Sequence, residues 1–241
     1  MVTIPEMTRQ ETMPCLDNSK EIAVPEVVLY PTANITESHP HPSVNSLLKR
    51  GIDILGGLVG LTLTGLVAVP VALAIQLDDP GPIFYSQIRC GYQGRPFRIW
   101  KFRSMVCNAD KLKHLVENQA QGLIFKNEND PRITRIGRFL RRTSLDELPQ
   151  FWNVLKGEMS LVGTRPPTLD EVNCYEPHHW QRLNVKAGMT GEWQVKGRSN
   201  VKDFEAIVQM DLMYQKHWSI KYDLQLILQT INSVLKRRGA C

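Results

Sequence analysis

The sequence lacks the cysteine spacing that disulfide-stapled or zinc-bound domains need. Its five cysteines, Cys15, Cys90, Cys107, Cys174 and Cys241, are odd in number and scattered, and no two form a C-x-x-C pair. Neither a disulfide framework nor a zinc site is indicated, and reduced cytoplasmic thiols are expected. No internal repeat is apparent, and residues 1–44 show no signal peptide and little periodicity beyond Ile22 to Leu29. Their Pro, Thr, Ser and Asn content reads as a disordered polar tail. Nor is there a strong excess of one charge: 29 Lys and Arg against 24 Asp and Glu give +5. That balance suits lipid headgroups, nucleotides or nucleic acid without choosing among them. At 241 residues, 42% of them hydrophobic, the chain can bury one moderate domain with appendages.

What is present is a long apolar run. Ile54 to Leu77, ILGGLVGLTLTGLVAVPVALAIQL, carries no charge and falls in the range of roughly 17 to 25 residues expected of a bilayer helix. Pro70 removes one helix hydrogen bond and crowds the preceding turn, which predicts a kink near Leu66 to Val69. Basic residues flank both ends, Lys49 and Arg50 before it and Arg89, Arg95, Arg98, Lys101 and Arg103 after it. A positive-inside bias on both flanks favours a helix that enters, bends at Pro70 and leaves on the same face. A Pro-kinked spanning helix is the alternative.

Beyond Leu77, the segment Asp78 to Pro82 reads as a turn, and Ile83 to Gln87 with Phe97 to Phe102 as a small hairpin. Asp130-Pro131 predicts a helix start with proline in its first position. On that helix Ile133, Ile136, Phe139 and Leu140 form an apolar face, and Arg135, Arg138 and Arg142 a basic one with Arg141 at its edge. Leu224, Ile227, Leu228, Ile231, Val234 and Leu235 predict a last helix that packs on the core or lies on a membrane.

The densest polar constellation is RRTSLDELPQFWNVLKGEMSLVGTRP, Arg141 to Pro166. Its adjacent acids, Asp146 and Glu147, lie among arginines. Such an arrangement serves a diphosphate substrate, with guanidinium groups on phosphoryl oxygens and magnesium bridging carboxylate to phosphate. Spacing alone also allows an S-x-x-E capping box from Ser144 to Glu147, although Pro149 would push the cap to Asp146 or later.

KFRSM (Lys101 to Met105), the run from Arg141 through GTRP, and AGMTGEWQVKGRSN (Ala187 to Asn200) resemble, in that order, the bacterial sugar transferase family of monotopic phosphoglycosyl transferases. The resemblance covers roughly Lys49 to Gly239. It implies a mostly helical mixed α/β fold in three parts: the tail 1–44, a re-entrant membrane helix hairpin over 45–77 bent at Pro70, and a catalytic domain over 78–241. That domain would lie with amphipathic surface helices on the cytoplasmic face of the inner membrane.

The resemblance further implies that Asp146 is a nucleophile forming a covalent phosphosugar, kept ionised by nearby arginines and a helix N-terminus. Glu147 would take part in binding Mg2+, while Lys101, Arg141, Arg165 and Arg198 would meet the substrate's phosphates or nucleotide. A UDP-sugar donor, undecaprenyl phosphate as acceptor and membrane lipid are the implied partners. No nucleic acid is expected, and homo-oligomer formation stays open. Val69 stands where the family often has Ser, Thr164 where it has Pro, and Lys186-Ala187 where it has Arg-Pro. The rival reading is a membrane-tethered nucleic-acid-binding or scaffold protein using the basic helix Arg132 to Arg142.

Overall fold

The structure, a computed structural model, describes residues 40–197, 201 and 203–236. Most of the polar tail, Arg198 and the basic end after Lys236 lie outside these residues. A short helix α1 (Pro42–Asn45) leads to Ser46, whose side chain accepts from the Lys49 N–H and starts α2 (Leu47–Asp78). Among the described residues α2 is the one helix long and apolar enough to cross a membrane. The chain stays helical through Pro70 rather than breaking into two helices there.

One face of α2 is buried: Lys49, Asp53, Gly57, Gly60, Thr64, Val71 and Ile75, spaced by about one or two helical turns. The other presents Leu55, Leu58, Leu66, Val69, Leu73 and Leu77, all more than half exposed. The buried polar groups are fully employed. Lys49 Nζ lies 2.5 Å from Asp223 Oδ2 and 3.0 Å from the Val162 carbonyl. Asp53 Oδ1 accepts from Ser160 Oγ and the Leu161 N–H, each at 2.9 Å. Arg50 donates to the carbonyls of Val154 and Leu155. Lys49 and Arg50, read from sequence as topology-setting flanks, are thus internal ties. At the far end Asp78 accepts from the Ile136 N–H at 2.8 Å, and Arg103 pairs with Asp79. Both ends of the apolar helix therefore bind the same globular body.

That body begins with the expected hairpin, β1 (Phe84–Cys90) against β2 (Pro96–Phe102), antiparallel with Tyr85 opposite Lys101. Helix α3 (Arg135–Thr143) starts later than Asp130-Pro131 would suggest. Thr134 is its N-cap, accepting from the Gly137 N–H at 2.9 Å, while Asp130 pairs with Arg132 instead. Leu140 and Ile136 pack on Val71 and Ile75 of α2, but Phe139 faces outward with the arginines. A 3-10 turn, Leu145–Gln150, joins α3 to α4 (Phe151–Lys156).

Two stretches of the recognised motifs form a parallel strand pair that sequence periodicity did not reveal: β3 (Met159–Val162) and β4 (Ala187–Thr190). Gly163 and Gly188 make this contact possible, because a Cβ on either would meet the other segment's backbone at 2.1 Å. Between them lies α5 (Leu169–Asn173), and after them α6 (Glu192–Lys196), α7 (Phe204–Lys216) and α8 (Ile220–Leu235). In α8 Leu226, absent from the expected stripe, is fully buried and Ile227 of that stripe packs partly buried on the same cluster, whereas Leu224, Leu228 and Ile231 are exposed.

Candidate functional site

Residue parity along β2 places Phe97, Ile99 and Lys101 on one face. Phe97 and Ile99 bury themselves in the core, and Lys101 emerges beyond them into a cavity of about 640 Å³. Its ammonium stands 2.8 Å from Glu147 Oε1. Arg141 reaches the same cavity from the last turn of α3, donating through Nε to Ser104 Oγ at 2.9 Å. Ser104 ends the KFRS stretch, so two motifs far apart in sequence meet in one hydrogen bond.

Ser144 turns the chain inward. It sits in the left-handed region at φ 56° and ψ 18°, ending α3, and its side chain makes no cap hydrogen bond in the turn that follows. The capping-box alternative is therefore set aside. The reversal carries Asp146 to the cavity wall at 6% exposure, with Glu147 beside it. Burial pushes the Asp146 carboxyl above its ordinary range; Lys101 and Arg141 pull it down, and Glu147 pushes it further up. Desolvation thus works against the ionised form that the expected role requires, while Lys101 and Arg141 support it.

Arg165 also lines the cavity, but its guanidinium fork is engaged by Glu171, at 2.9 and 3.2 Å. Burial pushes the Glu171 carboxyl up, yet Arg165, Arg89 and Arg182 together hold it below its usual range. Arg89, read from sequence only as a basic flank of the apolar run, was not expected at the site, because nothing there separates it from a solvated arginine. It lines the cavity, donates to the Pro166 carbonyl at 3.1 Å and leaves its buried Nε without a protein partner. Burial and the nearby Arg165 lower its pKa to about 10. Tyr85, Arg132 and Trp193 also line the cavity, although nothing in the sequence marked them as site residues. Nine basic side chains line the cavity against five acidic ones, a balance suited to a polyanionic ligand. Lys101, Arg141, Asp146, Glu147 and Arg165 are thus brought together, and Arg198 lies outside the described residues.

Asp146 and Glu147 offer adjacent hard oxygen donors whose mutual repulsion a divalent cation would relieve, so the pair fits magnesium. A second group, His178, His179 and Glu205, has ligand atoms within 4.8 Å of one another. There, however, His179 Nδ1 accepts from the Glu176 N–H, which leaves the ring proton on Nε2, 2.5 Å from Glu205. This imidazole is committed to the carboxylate rather than to a metal.

The rival nucleic-acid footprint loses one of its arginines: Arg132 is buried against Asp130 and over the Phe125 ring.

Comparison with known proteins agrees with the geometry. The chain is 52% identical over 196 residues to the galactosyl transferase CpsE of Streptococcus agalactiae, covering 80% of this chain and 43% of that protein. It is 41% identical over 216 residues to the UDP-glucose:undecaprenyl-phosphate glucose-1-phosphate transferase of Escherichia coli, covering 86% and 43%. It therefore spans less than half the length of these two relatives. Against the exopolysaccharide production protein ExoY of Rhizobium meliloti it is 34% identical over 203 residues, covering 82% of this chain and 89% of that one. The family model for bacterial sugar transferases matches residues 44–237, a span that contains α2, the basic cavity and both carboxylates, and the chain belongs to that family.

Proposed function

We propose that this protein transfers a sugar 1-phosphate from a UDP-sugar to undecaprenyl phosphate at the cytoplasmic face of the inner membrane, initiating an exopolysaccharide or related glycan. The observation that carries this reading is the buried Asp146 beside Glu147 in a basic cavity, in a body bound at both ends of an apolar helix. Two of the named relatives carry galactose or glucose in their names, so a hexose 1-phosphate is the proposed cargo.

In the proposed reaction the ionised Asp146 carboxylate attacks the sugar-linked phosphorus. A carboxylate–phosphorus bond forms, the phosphoanhydride bond breaks, and its electron pair leaves with uridine monophosphate. An oxygen of undecaprenyl phosphate then attacks the same phosphorus and expels the carboxylate, giving undecaprenyl diphosphate sugar. Burial raises the pKa of the Asp146 carboxyl, and cationic charge brought in with the substrate would favour the ionised nucleophile in the loaded site. Magnesium held through Glu147 would neutralise the diphosphate and the departing monophosphate. Lys101 and Arg141 orient the phosphates, and Arg165 shapes the wall through Glu171.

The test is isotope exchange. With magnesium and donor but no lipid, the purified protein should return labelled uridine monophosphate into the nucleotide sugar. Efficient transfer to lipid with no exchange and no trapped adduct would instead favour direct attack by the lipid, with Asp146 acting as base or metal ligand.

A further inference from the structure

One side of the cavity is built from residues that the reaction above does not use as reactants. Glu171 of α5, Thr168 just before it, Arg89 near the end of β1 and Trp193 of α6 all line it. Three ties gather them. The backbone of Arg89 bridges to that of Thr168, and Thr168 Oγ1 accepts from the Glu171 N–H at 3.2 Å. Tyr175 packs in the same apolar cluster as Trp193 and lies in the fields of Glu171 and Arg165, so indole and carboxylate share one side of the cavity. The charge of Glu147 reaches Arg89, which sets this side next to the catalytic pair.

Its hydrogen-bond capacity is of both kinds. The buried Nε of Arg89 and the buried indole N–H of Trp193 find no partner among the described residues. A buried donor without an acceptor is costly, and folded proteins hold few of them. Glu171 is the opposite: an acceptor whose two oxygens take one bond each from the Arg165 fork, at 2.9 and 3.2 Å, and keep lone pairs to spare. A phosphate offers acceptors alone and would set a second anion against Glu171. A sugar hydroxyl donates and accepts, so it answers the carboxylate and the two N–H groups together. The indole adds a flat apolar surface suited to the C–H face of a pyranose. Gly197 lets that ring lie close to the backbone, since a Cβ there would come within 3.2 Å of its Cδ1.

We propose that Glu171, Arg89 and Trp193 form the subsite that reads the donor's hexose, Glu171 accepting from a ring hydroxyl while Arg89 and Trp193 donate to hydroxyl oxygens. This rests on the sugar-phosphate transfer reading above and adds which residues select the sugar. The hexose hangs directly from the phosphorus that Asp146 attacks, so its ring belongs on a wall adjoining the catalytic pair.

The test measures uridine monophosphate released by the full chain in the presence of undecaprenyl phosphate. The donors are UDP-glucose, UDP-galactose and their single-deoxy analogues, and UDP serves as a competitor without a sugar. Wild type should reject at least one deoxy analogue by about a hundredfold or more. Trp193→Phe keeps an aromatic ring but removes the N–H; it should lower kcat/KM on the preferred hexose by about tenfold and leave inhibition by UDP unchanged. Glu171→Gln should erase the rejection of one deoxy analogue; should that variant no longer bind UDP, Trp193→Phe alone decides. Equal rates on every deoxy analogue with wild type would overturn the proposal. So would a loss of UDP affinity in Trp193→Phe that matches its loss in kcat/KM, which would give the indole to the nucleotide. No release from either UDP-hexose by wild type would instead sink the transfer reading itself.

Discussion

The Nζ of Lys101 and the Oε1 of Glu147 stand 2.8 Å apart at the mouth of the cavity, each about a third exposed. In that setting the pair contributes only about 0 to 1 kcal/mol to stability. Its importance is chemical, since the same carboxylate is proposed to bind metal and the same ammonium to meet phosphate.

Glu147→Gln should therefore leave the unfolding temperature almost unchanged while turnover falls severely and partly recovers with added magnesium. Lys101→Met should lower turnover too, but should reduce the magnesium concentration needed for half-maximal activity, because a competing cation has been removed. Magnesium titrations of both variants check this. Normal turnover of Glu147→Gln at limiting magnesium would leave the carboxylate no role in metal binding.

Asp146→Asn should abolish exchange and transfer yet stabilise the fold at neutral pH in magnesium-free buffer. The native state holds a proton on Asp146 more tightly than the unfolded chain does. Wild-type stability therefore falls as pH rises from the unfolded value near 3.8 through the raised native value, and is fully present only below that window. The advantage of Asn should appear above the native pKa and vanish at low pH. Unfolding measured across that range, for wild type and variant, decides it.

Gly60 of α2 faces the Phe151 ring so closely that a Cβ would lie 2.2 Å from it. Gly60→Ala should cost about 1 to 3 kcal/mol through overpacking, and Phe151→Leu in the same chain should restore part of the loss. Thermal unfolding in detergent of the single and double variants measures the coupling. Purely additive losses would show that helix and ring do not share this contact.

The two ends of α2 should lie on one side of the membrane, since Lys49 and Asp78 bind the same body. In a variant keeping only Cys15, an impermeant thiol reagent should label lysed but not intact spheroplasts. Labelling of intact spheroplasts would establish a span.

The hairpin, the apolar helix and the two acids were legible because each depends on local pattern: alternation, length without charge, and a motif read in order. The start of α3 was not, because Asp130 found a better partner in Arg132 than in the helix N-terminus. The β3–β4 pair was hidden because four-residue strands carry too little periodicity, and their pairing rests on Gly163 just after β3 and Gly188 within β4. Nor could sequence separate Arg89, sunk in the cavity wall, from a solvated arginine. The upward push on the Asp146 carboxyl was hidden for a related reason. Neighbouring cations can be counted in a sequence, whereas the water removed around a carboxylate cannot.

The buried ammonium of Lys49 has a consequence for how the molecule is made. It shares Asp223 with the Tyr214 hydroxyl and the Trp218 indole, and one turn later Asp53 closes the β3 strand. Cutting the helix away would not release a water-soluble enzyme. It would strip Asp223 of its counter-ion and open a trench of Leu155, Leu161 and Phe151 to solvent. Docking of α2 and completion of the catalytic body are consequently one assembly event, and a truncation that begins after Asp78 should reach the cell as a misfolded, protease-sensitive chain.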